Sequence, residues 1–363
     1  MTASLTAITM PKWGLTMTEG KVVRWAHAAG ESFSAGEELL EIETTKVANV
    51  VEAEGDATIL RIVAAEGATL PIGALLAVVG PADTPAAEID AFVAGFTVVA
   101  PETESVEAAP PSPKTVDAGG RQLQYLEVGE GEPLVLVHGF GGDLNNWMFV
   151  QPALAEKHRT IALDLPGHGG SSKDVGAGDA EALAGAVEAT LDTLGIRGAR
   201  LAGHSMGAAI AVLVAARRPE LVSALTLIAP AGLGTEVNGA FIAGFVRMQR
   251  RKDAQETLSL LVHDPALVSR RMIEDVLRYK RLDGVESALQ TIARAWFDGD
   301  RQRVSVRDQL ASLRVPVRII WGKDDRIIPP SHAQGLSDVH ILDAAGHLPH
   351  LEKSGEVLRL MKA

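Results

Sequence analysis

The sequence predicts a multidomain chain in which a small all-β sandwich precedes a mostly parallel α/β sheet that carries a helical cap. Three observations predict it. Residues 1–80 contain short alternating or apolar runs separated by Gly-containing turns, with no helix-period stretch among them. Residues 81–115 shift to Pro, Ala, Thr, Ser and Glu, a linker composition. From Arg121 to the C-terminus, apolar β-rich runs alternate with helical stretches, the pattern of a parallel sheet covered by helices. The 363 residues are too many for one small module, and 47% hydrophobic with 22% charged residues leaves a core to bury.

In the front domain, residues 1–80, strands are expected over 21–25, 38–42, 49–52 and 58–63. Gly30 and Gly36 recur as Gly67 and Gly73, displaced by 37 residues, and each pair is followed by a Leu-Leu. Two similar halves are implied. Lys46, in Glu43-Thr44-Thr45-Lys46-Val47, falls near the tip of the hairpin joining the halves and is expected to project into water. Taken alone, an exposed hairpin lysine is a solvated charge. Between Arg61 and Lys114 there is no Lys or Arg, and six prolines lie between Pro81 and Pro113. With few large apolar residues, chiefly Ile89, Phe92, Val93, Phe96, Val98 and Val99, residues 81–115 read as a flexible linker spanning roughly 30 Å as a coil.

In the second domain, residues 116–363, strands are expected over 123–128, 133–137, 160–163, 199–202, 224–228, 317–321 and 339–342. About ninety residues separate the fifth and sixth of these, and 241–296 is helical in period, an inserted cap at roughly 231–310. Gly203-His204-Ser205-Met206-Gly207 follows a strand and opens a long apolar helix. That context lifts Ser205 Oγ above the sheet edge and aims the Met206 N–H at a developing oxyanion. A later strand ends in Gly322-Lys323-Asp324-Asp325 and the next in Ala345-Gly346-His347, so acid and imidazole follow the serine in the chain order such a site requires. His138-Gly139-Phe140-Gly141-Gly142 follows an early strand and offers the Phe140 N–H as a second oxyanion donor.

These residues, with Asp164-Leu165-Pro166-Gly167-His168-Gly169, resemble the α/β-hydrolase family across residues 116–363. The resemblance implies Ser205 as nucleophile, His347 as general base and acid, and Asp325 as the orienting carboxylate. Asp324 is the rival; Asp325 is preferred because the family spacing of Gly, two residues, Asp, three residues, Pro fits Gly322, Asp325 and Pro329.

Charge and composition limit the partners. With 46 acidic against 34 basic residues the net charge is −12, which disfavours nucleic acid and anionic lipid surfaces. Without cysteine there is no disulfide, thiolate metal site or cysteine nucleophile, and no metal is expected. No secretory signal and no bilayer-length apolar run is recognised, so a cytoplasmic location is expected. The cap, with 12 basic and 10 acidic residues over 231–303, is the one region of positive balance, and Arg247, Arg250, Arg251 and Lys252 read first as a solvated helix face.

Two quasi-repeated halves meeting at Lys46, flanked by Glu41, Glu43, Glu52 and Glu54, resemble the lipoyl and biotinyl carrier family over residues 1–80, as do Met10-Pro11-Lys12 and Glu19-Gly20. Biotin carriers place Met on both sides of the lysine; here Thr45 and Val47 stand there, and Glu43-Thr44 keeps the lipoyl form. The resemblance implies lipoate on Lys46, added by a lipoate-attaching enzyme. Over the full chain, a lipoyl domain before an α/β-hydrolase-like domain is similar to the acetyltransferase components of acetoin dehydrogenase complexes. That likeness implies transfer of acetyl from a dihydrolipoyl-lysine arm to coenzyme A. It also implies a thiamine-diphosphate enzyme that cleaves acetoin and a dihydrolipoyl dehydrogenase as partners. Two other readings fit the residues: an esterase or thioesterase with an attached carrier, and a non-catalytic carrier scaffold.

Overall fold

The computed structural model describes residues 5–11, 17–43, 48–53, 55–96 and 111–362. The chain divides into two units, residues 1–110 and 111–363.

In the first unit, eight strands build two four-stranded sheets: β1 (Thr6–Thr9), β2 (Glu19–Trp25), β3 (Ser32–Phe33), β4 (Glu38–Glu43), β5 (Ala48–Glu52), β6 (Ala57–Ile62), β7 (Thr69–Pro71) and β8 (Leu75–Gly80). Their orders are β1-β8-β6-β3 and β5-β4-β2-β7, with every pairing antiparallel. Inward side chains Met10, Val22, Leu40, Ile42, Ile59 and Leu76 fill the space between the sheets. The repeat is structural. Gly30, Gly36, Gly67 and Gly73 all take positive φ (93°, 86°, 84° and 77°), a conformation glycine adopts without a Cβ penalty. The bonds are reciprocal: Gly30 N–H donates to Ile59 O, and Gly67 N–H to Val22 O, residues again 37 apart.

The segment expected to be a flexible linker from residue 81 onward instead begins with a helix, α1 (Ala86–Gly95). Ile89 on α1 is buried with Leu75 and Val78 of β8, and Phe92, Val93 and Phe96 pack around them. The few apolar residues of this stretch suffice because the sandwich supplies the opposing surface. Residues 97–110 lie outside the described residues.

The second unit is one eight-stranded sheet: β9 (Lys114–Asp117), β10 (Gln122–Val128), β11 (Glu132–Val137), β12 (His158–Leu163), β13 (Ala199–His204), β14 (Val222–Ile228), and, later in the chain, β17 (Val317–Gly322) and β18 (Val339–Leu342). Its order is β18-β17-β14-β13-β11-β12-β10-β9, parallel from β18 to β12 and antiparallel at β10 and β9. The remaining pair is the short hairpin β15 (Phe297–Asp298) and β16 (Arg301–Gln302). The central strands read as continuous apolar runs because helices cover the sheet. These are α2 (Gln151–Ala155), α3 (Ala180–Thr193), α4 (Met206–Arg217), α9 (Arg307–Ser312), α10 (Pro349–Glu352) and α11 (Ser354–Lys362). On α4 every residue from Met206 to Ala215 is buried, and its alanines and Gly207 allow the close approach that this demands.

Between β14 and β17 lie α5 (Gly239–Arg247), α6 (Arg251–Leu258), α7 (Arg270–Lys280) and α8 (Val285–Trp296), the expected cap. Val285, Ala288, Leu289, Ile292 and Trp296 form the buried stripe of α8 at helical spacing.

Candidate active site

Ser205 sits between the end of β13 and the first residue of α4, with φ 53° and ψ −116°. A non-glycine residue in this region is strained, and backbone hydrogen bonds hold the strain. Ser205 N–H donates to Ile228 O at 2.9 Å, and Ser205 O accepts from Ala208 and Ala231 N–H at 3.1 Å each. The flanking glycines are required for space. A Cβ at Gly207 would overlap the carbonyl oxygens of Val137 and His138, and one at Gly203 would overlap the backbone of Gly207 and Ala208. Gly207→Ala is therefore expected to cost about 3 kcal/mol or more, because only backbone could yield. A thermal melt should show it as a fall of roughly 6–12 °C in the unfolding of this unit; an unchanged midpoint would refute the steric argument.

His347 follows β18, and its ring is buried beside the serine: Nε2 lies 3.0 Å from Ser205 Oγ and Nδ1 lies 2.7 Å from Asp325 Oδ2. The tautomer follows from the partners. An ionised carboxylate only accepts, so Nδ1 carries the proton and Nε2 accepts from the serine hydroxyl. The Asp325 side chain has no exposed surface and four donors. Its Oδ1 accepts from Ile327 and Ile328 N–H at 2.8 and 3.0 Å, and Oδ2 accepts from Trp321 Nε1–H at 2.9 Å as well as from His347. Asp324 points elsewhere, 2.9 Å from His263 Nδ1. Glu352 of α10 braces the histidine loop by accepting from Gly346 N–H at 2.8 Å and His263 N–H, and burial raises its carboxyl above the usual range.

The Met206 and Phe140 N–H groups have no hydrogen-bond partner among the described residues, Met206 because it opens a helix. Two buried histidines hold the Phe140 loop. His138 Nε2 accepts from Leu165 N–H at 3.0 Å, so its Nδ1–H donates to Gly139 O at 2.7 Å. His168 Nε2 accepts from Gly141 N–H at 3.1 Å and its Nδ1–H donates to Pro166 O at 3.0 Å. Asp164 accepts from Leu144 and Gly170 N–H at 2.6 and 2.8 Å, and burial pushes its carboxyl up to about 7.

Behind His347, His204 Nε2–H donates to the His347 carbonyl at 2.8 Å, and His350 stacks between Trp147 and His204 with ring centroids 5.0 and 4.7 Å away. Burial holds all four of these histidines below the ordinary imidazole range, His138 at about 4 and His350 at about 3. Sequence reading saw His138, His168 and His204 only as neighbours within motifs and missed Trp321, His350 and Glu352.

Lys46 lies outside the described residues. The flanking strands β4 and β5 are antiparallel, and their register ends at Glu43 opposite Ala48, leaving residues 44–47 as the connection. Among the described residues no group of three or more His, Asp or Glu side chains is placed to hold a metal ion, and no helix is long and apolar enough to cross a membrane.

Two family models match: an α/β hydrolase fold over residues 132–354 and a biotin-requiring (biotin/lipoyl) enzyme model over residues 6–79. The chain is 46% identical to the dihydrolipoyllysine-residue acetyltransferase component of the acetoin cleaving system of Pseudomonas putida, over 98% of this chain and 97% of that one. It is 40% identical to the protein of the same description from Cupriavidus necator, over 98% and 96%. Among solved structures, a 2-hydroxy-6-oxo-6-phenylhexa-2,4-dienoate hydrolase from Rhodococcus superposes with a TM-score of 0.63 at 20% identity, covering 69% of this chain and 97% of that one. This last likeness concerns the fold alone.

Proposed function

We propose, for a chain that belongs to the family of dihydrolipoyllysine-residue acetyltransferase components of acetoin cleaving systems, and to the α/β hydrolase fold, that acetyl passes through Ser205 on its way to coenzyme A. The observation that carries this route is the buried run from Ser205 Oγ through His347 to Asp325 at 3.0 and 2.7 Å. Lys46 would hold lipoate, whose reduced dihydrolipoyl form would supply a thiol able to carry acetyl as a thioester on a long arm.

Ser205 Oγ loses its proton to His347 Nε2 as it bonds to the thioester carbonyl carbon, and the unpartnered Met206 and Phe140 N–H groups take the oxyanion charge. Asp325 holds the imidazole in the tautomer that accepts this proton and steadies the cation that forms. His347 then returns the proton to the departing thiolate, leaving acetyl on Ser205. In the second half His347 deprotonates the coenzyme A thiol, which attacks the acetyl-serine carbonyl, and the proton ends on Ser205 Oγ.

The chain works as a component of a multienzyme system; an acetoin-cleaving thiamine-diphosphate enzyme upstream, a dihydrolipoyl dehydrogenase downstream and a lipoate-attaching enzyme complete it in the cytoplasm. The test is acetyl-CoA formation from the acetylated dihydrolipoyl protein. Loss of acetyl at the same rate with coenzyme A omitted would make the protein a thioesterase instead. Lys46→Ala should abolish acetyl-CoA formation from the tethered arm by at least about a hundredfold, because the effective concentration of a tethered group is lost. Hydrolysis of a small acetyl ester, which needs only Ser205 and its partners, should survive that substitution; intact mass with peptide mapping checks that lipoate is gone.

A further inference from the structure

Most cations of the cap are occupied. Arg251 and Arg270 lie 2.7 and 3.1 Å from Glu274, Arg271 and Arg278 pair with Asp275, Arg250 with Asp253, Lys252 with Glu256 and Arg303 with Asp298. Such pairs neutralise a solvated helix face. Arg247 and Arg294 differ: neither has a carboxylate partner among the described residues, and both line the same groove between α5 and α8. The Arg247 side chain is laid back along its own helix, its Nε–H donating to Ala243 O at 3.2 Å.

That groove has a volume of about 380 Å³, no acidic lining residue, and an apolar wall formed by Ile242, Val246 and Phe297. Val246 and Gln290 also line a second depression of about 740 Å³ that contains Lys280, Arg281 and the exposed Leu282, together with the carboxylates Asp283 and Glu286. Lys280 is tied to the Val246 carbonyl at 2.7 Å and to that of Phe245, and Arg281 has no carboxylate partner among the described residues. On the groove wall, the Phe297 ring is 6.0 Å from that of Phe140, the residue whose N–H is assigned to the oxyanion in the route above. Two unneutralised guanidiniums on an apolar trough suit a ligand that joins phosphates to a long, weakly polar arm.

We propose that this groove binds coenzyme A, with Arg247 and Arg294 on its diphosphate and the Ile242–Val246–Phe297 wall guiding the thiol arm toward Phe140 and Ser205. The proposal rests on coenzyme A being the acetyl acceptor, and its test is chosen to separate the two.

Calorimetric titration of the full chain with coenzyme A should give a Kd that rises about tenfold or more in the Arg247→Gln, Arg294→Gln double variant, since each substitution removes one charge-assisted contact to phosphate. The same Kd should rise with ionic strength in the parent protein and far less in the variant. In acetyl transfer, the preference for coenzyme A over pantetheine, which lacks the phosphates, should collapse in the variant. Arg278→Gln, which removes a cation already paired on α7, should leave the Kd within twofold of the parent. An unchanged Kd and an unchanged preference in the double variant, alongside intact transfer, would overturn the groove and leave the reaction standing. Binding that depends on Arg247 and Arg294 in a protein unable to form acetyl-CoA would support the groove and overturn the reaction.

Discussion

Ser205→Ala is expected to lower coenzyme A-dependent acetyl transfer by four to six orders of magnitude while the protein stays folded. The size follows from the loss of covalent catalysis, which members of a cooperating triad supply as a unit, leaving only the oxyanion donors and binding. The fold should persist because alanine meets the same left-handed penalty at φ 53° that serine already bears, and the bonds that hold position 205 are all made by its backbone. Coenzyme A should bind the variant as it binds the parent. In the parent protein, quenching the reaction with acetylated dihydrolipoyl arm and no acceptor should trap acetyl on the peptide that carries Ser205, readable by mass. Asp325→Asn provides a graded control. It leaves the four-bonded position filled but favours the wrong imidazole tautomer, and a loss of about 10⁴ is expected. If Ser205→Ala retained more than a hundredth of the transfer rate, direct attack of coenzyme A on the thioester would replace the covalent route.

What could be read from the sequence and what could not divide along a physical line. Ser205 stands out because its turn needs glycine on both sides, and the overlaps at positions 203 and 207 are the reason those residues are glycine. The preference for Asp325 over Asp324 came from spacing alone. In the structure the two side chains face opposite ways because Ile327 and Ile328 N–H groups turn one carboxylate inward while His263 draws the other out. The paired halves of the front domain were legible through four glycines whose φ values all prove positive.

What stayed hidden depends on partners distant in sequence. Helix α1 has too few apolar residues to pack on itself and is stabilised by Leu75 and Val78 of β8. His204 reaches the His347 carbonyl across 143 residues, and His350 finds its place only between Trp147 and His204. The cap's charge surplus was legible as a count. That Arg247 and Arg294 share one groove without a carboxylate among the described residues, while Arg250, Arg251 and Lys252 are paired, required the packing of α5 against α8.

Those buried histidines make stability fall steeply with acid. His138, His168, His204 and His350 are all buried, and burial favours their neutral rings, so the folded protein takes up few protons on them down to pH 5. The unfolded chain, with imidazoles near 6.5, binds them readily below that pH. The unfolded state therefore gains protons as pH falls, and linkage requires the stability present above 6.5 to be lost below it. From pH 7 to 5 His138 and His350, held at about 4 and about 3, each contribute a loss of about 2 kcal/mol, and burial of His168 and His204 adds to it in the same direction. Asp164 opposes this. Its carboxyl, raised to about 7, binds a proton in the folded state across the same window and returns about 2 kcal/mol, and the Glu352 carboxyl, also raised by burial, acts in the same direction. The net is a loss of a few kcal/mol, a large fraction of the whole stability of many domains. Denaturant titrations at pH 7 and pH 5, followed by the buried Trp147, Trp296 and Trp321, should record it. The sharpest check is His350→Phe, because neither His350 ring nitrogen has a hydrogen-bond partner among the described residues and phenylalanine keeps the ring between Trp147 and His204. That variant should lose about 2 kcal/mol less than the parent over the same interval. Equal losses in both proteins would mean that His350 takes up its proton without unfolding, and that the cluster behind His347 is wet rather than dry.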